Sequence, residues 1–295
     1  MVGIGCMAFL AHHLWNWREE LGRAFELSAT TLAILALLVF AAHAQRAFEF
    51  NYMLRRLSVV EGYFDSFLLT AVALLLNYFP FSAGSAARAV ALQQKHDLPY
   101  ASYLSALIIS ALVNAQVSAT LGFLGCLAVL PPGGPHASLV ALFGAAAVGG
   151  ALVMCAPTSH VPRGEGFVAK QVRRLVEGLR LIRGRGGILV LMLTSAAKLL
   201  FNTLRLWLCF RALGLDLPLA HAALLGSAAV MISLVNLVPG NLGLRELLVG
   251  ALAGAMGFSP ALGMAAATLD RAVVISYTFV VGMPSLLAIR RAFAG

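Results

Sequence analysis

Of the 295 residues, 60% are hydrophobic and only 11% are charged, giving a mean hydropathy of +0.88. That balance excludes a soluble globular domain and leaves an all-α polytopic membrane protein. The net charge of +9 suits an anionic membrane surface rather than nucleic acid, because the basic residues lie in loops and span ends.

The length allows roughly eight spans of about 20 residues with their connections. Met1 to Leu14 is apolar but short for a span, and it lacks the basic start of a signal peptide. Leu27 to Ala44 reads as a clear span. Arg46 to Glu61, with Arg55, Arg56 and Glu49, reads as a charged loop. Tyr63 to Phe79 is the third span. The stretch after it is polar, with Arg88, Lys95, His96 and Asp97. Pro99 to Leu130 is a long span in which Asn114 and Gln116 are expected to hydrogen-bond between helices. An uncharged turn at Pro131–His136 leads to Ala137–Ala156. Arg163 to Arg185 carries seven basic and two acidic residues, with Val168, Val172, Leu175, Val176, Leu179 and Ile182 on one helical face. This pattern predicts an amphipathic helix (163–185) lying on the membrane surface. Ile188–Leu213, Leu219–Val238 and Pro260–Ile289 are the remaining spans. The four cysteines are scattered through apolar segments and read as buried thiols. No pair has metal-ligand spacing, so no metal or other cofactor is expected.

Two stretches interrupt this plan. Asn236 to Gly257 contains Pro239, five glycines and the adjacent charges Arg245 and Glu246. Proline removes a helix donor and glycine eases a break, so the chain is expected to break and restart as a half-helix. Asn77 to Leu92 echoes it. When Asn77 is aligned with Asn236, Pro80 falls on Pro239 and Gly84 on Gly243, with Arg88 near Arg245 and Glu246. Paired broken segments in two halves of a membrane chain point to a transporter-type site. The two asparagines can equally be caps of the broken helices.

The chain therefore reads as one transmembrane domain over 1–295. Its repeat-like halves, about 27–130 and 187–291, are joined by the surface helix. The positive-inside rule puts Arg46–Arg56, Arg163–Arg185 and Arg290–Arg291 in the cytoplasm, and the uncharged turns outside. All of these agree if each broken stretch crosses the membrane. The halves are then an inverted repeat with both termini cytoplasmic. If the stretches re-enter instead, one basic loop lies outside.

Charge inside the spans needs a partner or a purpose. Lys198, Asn202 and Arg205 share one face of the sixth span at i, i+4 and i+7. With Arg88, Arg245 and Arg271 they outnumber Glu246 and Asp270. Surplus buried cation suits an anion, and arginine matches phosphate oxygens two at a time. These residues are the candidate headgroup site, with a salt-bridge lattice as the competing explanation. Glu246 and Arg271 are expected to be the pair that matters most. The seven histidines are dispersed, and no His-x-x-x-His or nucleotide-binding Gly-x-x-x-x-Gly-Lys-Ser/Thr run is present, so an enzyme is not expected.

Two motifs resemble the lysylphosphatidylglycerol synthase transmembrane region family, which includes the flippase domain of the bacterial multiple peptide resistance factor. The first is Pro239, Gly243 and Glu246, followed by Asp270 and Arg271. The second is Pro80, Gly84 and Arg88, where Ser82 and Ser85 replace the family's frequent charged residues. The resemblance implies a flippase-like protein of the bacterial inner membrane that moves or binds an anionic or isoprenoid-type lipid. A non-catalytic accessory subunit of a lipid- or glycan-modifying enzyme is the alternative.

Overall fold

Helix is the only way an open chain can satisfy its backbone in lipid, and the described chain is helical throughout. The computed structural model describes residues 28–78, 83–130, 137–155, 166, 173, 186–234 and 243–294, and these contain no strand. The helices in chain order are α1 (Ala29–Arg56), α2 (Tyr63–Leu76), α3 (Ala83–His96), α4 (Tyr100–Val129), α5 (Ala137–Cys155), α6 (Gly187–Ala212), α7 (Leu219–Leu234), α8 (Leu244–Ala255) and α9 (Pro260–Ala294). Met1–Leu14, Pro131–His136, Pro80, Asn236 and Pro239 lie outside the described residues. So does the surface helix predicted over 163–185, apart from Gly166 and Arg173.

Five helices are long and apolar enough to cross a membrane: α1, α4, α5, α6 and α9. The shorter α2 and α7, with 14 and 16 residues, fall below the usual span length. α2 ends at a cap on Asn77, and the described part of α7 ends at Leu234. On length, the expected count of about eight spans is therefore not reached among the described residues.

The charged segment after Ala44 is not a loop. α1 starts at Ser28, whose hydroxyl accepts from the Thr31 N–H at 3.1 Å, and continues to Arg56. Its later turns bury Glu49, Asn51 and Phe50. Charged residues at helical spacing extend the span here because they face protein rather than lipid. Asn114 and Gln116 also depart from expectation. Their amides donate within their own helix, to the Ser110 carbonyl at 2.9 Å and the Thr120 hydroxyl at 3.1 Å. Cys126 and Cys209 are buried free thiols, but Cys155 is exposed on the face of α5 that lacks protein cover.

The helices pack in a repeated pattern. α1 lies against α6. α2 packs on α9 as α7 packs on α4, and α1 packs on α2 as α6 packs on α7. The half-helices α3 and α8 fold back onto α2 and α7 and reach α4 and α9. Exchanging α1–α4 for α6–α9 thus carries most pairings onto one another. One apolar cluster gathers Leu35 of α1 with Leu206 and Phe210 of α6. A second gathers Phe50 and Leu54 of α1 with Leu191 of α6. So α1 and α6 run antiparallel, and their middle turns lie between two apolar layers. Large side chains such as Leu37, Leu142, Leu152 and Val280 are left exposed, as lipid-facing residues are.

The half-helix α3 is held against α2 at both ends. At its last turn, Lys95 bridges Glu61 at 2.6 Å and Asp65 at 3.2 Å, and His96 also pairs with Glu61. At its start, Gly84 sits against the last turn of α2. A Cβ there would lie 2.0 Å from the Ala73 carbonyl oxygen and 2.5 Å from the Asn77 side-chain oxygen. Gly84→Ala should therefore destabilise the protein by about 1–3 kcal/mol through forced backbone displacement. Gly149→Ala, where an added Cβ meets nothing within 4 Å, should change stability by less than about 1 kcal/mol. Melting temperatures of the two variants in detergent compare them directly. Equal melting would show that α3 can move off α2 freely.

Candidate functional site

The middle turns of α1 and α6 supply the polar layer. α1 presents Ala42, Arg46 and Glu49 on one face, and α6 presents Lys198, Asn202 and Arg205. Two cavities open beside this seam. The larger, about 210 Å³, lies among α1, α2, α3, α4 and α6, and is lined by Arg46, Glu49, Asn77, Ser85, Arg88, Asn114 and Lys198. The other, about 150 Å³, lies among α1, α6, α7, α8 and α9 and is lined by Arg46, Tyr78, Lys198, Asn202, Arg205, Arg245 and Arg271. Arg46 and Lys198 line both, so they stand on the wall between them.

Two arginines of the second cavity are held by Asp270, which is fully buried. Arg205 donates to it from Nε at 2.7 Å and from Nη2 at 3.4 Å, and Arg245 donates from Nη2 at 2.7 Å. Asn202 Oδ1 accepts from the same two guanidinium groups, at 3.3 Å from Arg205 and 3.1 Å from Arg245. One carboxylate thus ties α6, α8 and α9 together. Beside it, Arg271 Nε lies 2.6 Å from Glu246 Oε1. Glu246 also turns its other oxygen to its own helix start and accepts from the Gly243 N–H at 2.9 Å. Gly243 has φ of +84°, a left-handed conformation that glycine adopts without strain, and this lets α8 begin at the end of the broken stretch. The carboxylate therefore answers the positive end of α8 and the guanidinium of α9 at once.

The first cavity is paired differently. Arg88 lies over the Phe50 ring at 4.4 Å and donates to the Leu69 carbonyl at 3.3 Å, with no carboxylate in ion-pair contact among the described residues. Glu49 accepts instead from the Ser110 hydroxyl and from Gln45 at 3.2 Å. Arg46 and Lys198 form no ion pair with a described residue.

The structure thus brings Lys198, Arg205, Arg245 and Arg271 onto one cavity, with Asp270 and Glu246 paired to its arginines. It places Arg88 and Asn77 on the adjoining one, and Gly84 and Gly243 at the half-helix starts. Sequence reasoning missed Arg46 and Glu49. The sign that could have revealed them is the i, i+4, i+7, i+11 spacing of Ala42, Arg46, Glu49 and Met53, which marks one face of a continuing helix. Among the described residues, no group of three His, Cys, Asp or Glu side chains converges as a metal site would require.

A family model described as the lysylphosphatidylglycerol synthase TM region matches residues 1–282. No curated protein and no solved structure matches the chain.

The pairing separates two cations that share a face of α6. Asp270→Asn leaves Arg205 and Arg245 buried without their carboxylate, and breaking a buried pair costs about 3–5 kcal/mol. Lys198→Leu removes a cation that pairs with no described residue, and charge in a span costs about 2.5–3.5 kcal/mol on insertion scales. Melting curves in detergent should therefore fall clearly for Asp270→Asn and hold or rise for Lys198→Leu. A fall of similar size in both would show that Lys198 belongs to the same lattice.

Proposed function

Because the chain belongs to the lysylphosphatidylglycerol synthase TM region family, we propose that it binds the phosphate of an anionic membrane lipid and carries its headgroup between leaflets. The observation that supports this most is the excess of cations over carboxylates on two adjoining cavities. Arg46, Arg88, Lys198, Arg205, Arg245 and Arg271 are set against Glu49, Glu246 and Asp270. Such a surplus is costly in lipid and is relieved by a bound anion. The apolar tails of a lipid remain in the bilayer while its headgroup uses the polar layer.

On this reading the two halves form an inverted repeat in the bacterial inner membrane, with both termini in the cytoplasm. The broken stretches bring their half-helices to the site from opposite sides. The Glu246–Arg271 pair closes α8 onto α9. Opening it frees Arg271 for a lipid phosphate. The protein's task is binding and movement rather than bond-making. An accessory subunit of a lipid-modifying enzyme would share the fold and would not move lipid by itself.

Leaflet transfer of a labelled anionic phospholipid in liposomes containing the purified protein tests this. Wild-type protein should transfer the lipid without a partner. Glu246→Gln should express normally and lose transfer at least tenfold, because its amide cannot balance Arg271. Adding Arg271→Gln to that variant should restore thermal stability but not transfer. Wild-type rates in Glu246→Gln would make the pair structural, and no transfer by the wild type would favour the accessory role.

A further inference from the structure

The two cavities are chemically unequal, and their inequality indicates where an anion rests. In the second cavity each arginine specific to it is in contact with a carboxylate. Arg205 and Arg245 hold Asp270, and Arg271 holds Glu246. The start of α8 is occupied as well, by Glu246 on the Gly243 N–H. An incoming phosphate must compete with carboxylates already in contact with these arginines.

The first cavity offers the opposite arrangement. Arg46, Arg88 and Lys198 converge on it, and none of the three is in ion-pair contact with a carboxylate among the described residues. Its own acid, Glu49, is held by Ser110 of α4 and Gln45 of α1. Ser85 and Asn114 add neutral polar groups to the wall, and α3 has no acidic residue in its first turn. At about 210 Å³ the space exceeds that of the second cavity and accommodates a phosphate with part of its ester.

We propose that the resting seat of the anion is this first cavity: a phosphate-ester site formed by Arg46, Arg88 and Lys198 with Ser85 and Asn114. It rests on the lipid-handling reading above and refines it. The second cavity stays closed on its own carboxylates until the Glu246–Arg271 pair opens. Arg46 and Lys198, on the shared wall, keep hold of the anion as it passes.

The test uses the full chain in detergent and two probes: dioctanoyl phosphatidylglycerol, and glycerol 3-phosphate as the headgroup without tails. Binding is followed by thermal shift and by isothermal titration. Wild-type protein should bind the lipid saturably and the free phosphate at least tenfold more weakly. Ser85→Asp places a carboxylate three residues before Arg88, in the first turn of α3, where a negative charge is favoured. It should raise the melting temperature of the ligand-free protein and weaken lipid binding at least tenfold. Arg88→Gln and Lys198→Met should each weaken binding by a similar factor, and Lys198→Met should do so without loss of stability. Unchanged affinity in both Ser85→Asp and Arg88→Gln would overturn the first-cavity seat while leaving lipid handling intact. Equal binding of free phosphate and lipid, still lost in Ser85→Asp, would keep the seat and overturn the lipid reading. No binding of either probe by the wild type would overturn both.

Discussion

Asp270 holds the second half of the molecule together. It is buried completely, accepts from Arg205 of α6 and Arg245 of α8, and sits on α9. Lipid supplies no hydrophobic drive for helices to associate, so packing and polar contacts must do it. A carboxylate shared by two guanidinium groups joins three helices at one point. It also leaves that point positively charged. The same contact that assembles the bundle therefore creates its chemical demand, and the neighbouring Glu246–Arg271 pair does not relieve it.

The two apolar clusters confine that demand to one level. Leu35, Leu206 and Phe210 lie on one side of the seam, and Phe50, Leu54 and Leu191 lie on the other. Arg46 and Lys198 sit between them, half-buried on the wall shared by the two cavities. The pairing of helices nearly repeats between α1–α4 and α6–α9, but the side chains do not. Where α6 meets α9 through Arg205 and Asp270, α1 meets α4 through Glu49 and Ser110. A similar backbone arrangement thus carries cations in contact with carboxylates in one half and, in the other, cations with no ion-pair partner among the described residues. That asymmetry is what a protein needs if an anion is to be held in one place and moved through another.

Much of this was legible in the sequence because it is carried by local grammar. Gly84 and Gly243 signalled restarts of the chain, and α3 and α8 begin beside them. The spacing of Lys198, Asn202 and Arg205 placed them on one face, and they line one cavity. Arg46 and Glu49 were hidden because charge density usually marks a loop, and composition does not reveal that a charged face is covered by protein. Asn114 and Gln116 donate instead to acceptors four residues away in their own helix; that spacing is visible in the sequence, but which of a same-helix and a neighbouring-helix acceptor is taken depends on packing. The unequal pairing of the two cavities was also out of reach, since which acid meets which base depends on how distant helices are brought together.

Native mass spectrometry of the protein, extracted gently from its membrane, tests most directly whether the unbalanced cations hold a lipid phosphate. The expected spectrum shows the chain with about one retained phosphate-bearing lipid that survives mild activation. It should retain that lipid in preference to neutral lipids of equal abundance. A spectrum of bare protein, or one in which lipids are carried regardless of charge, would contradict it.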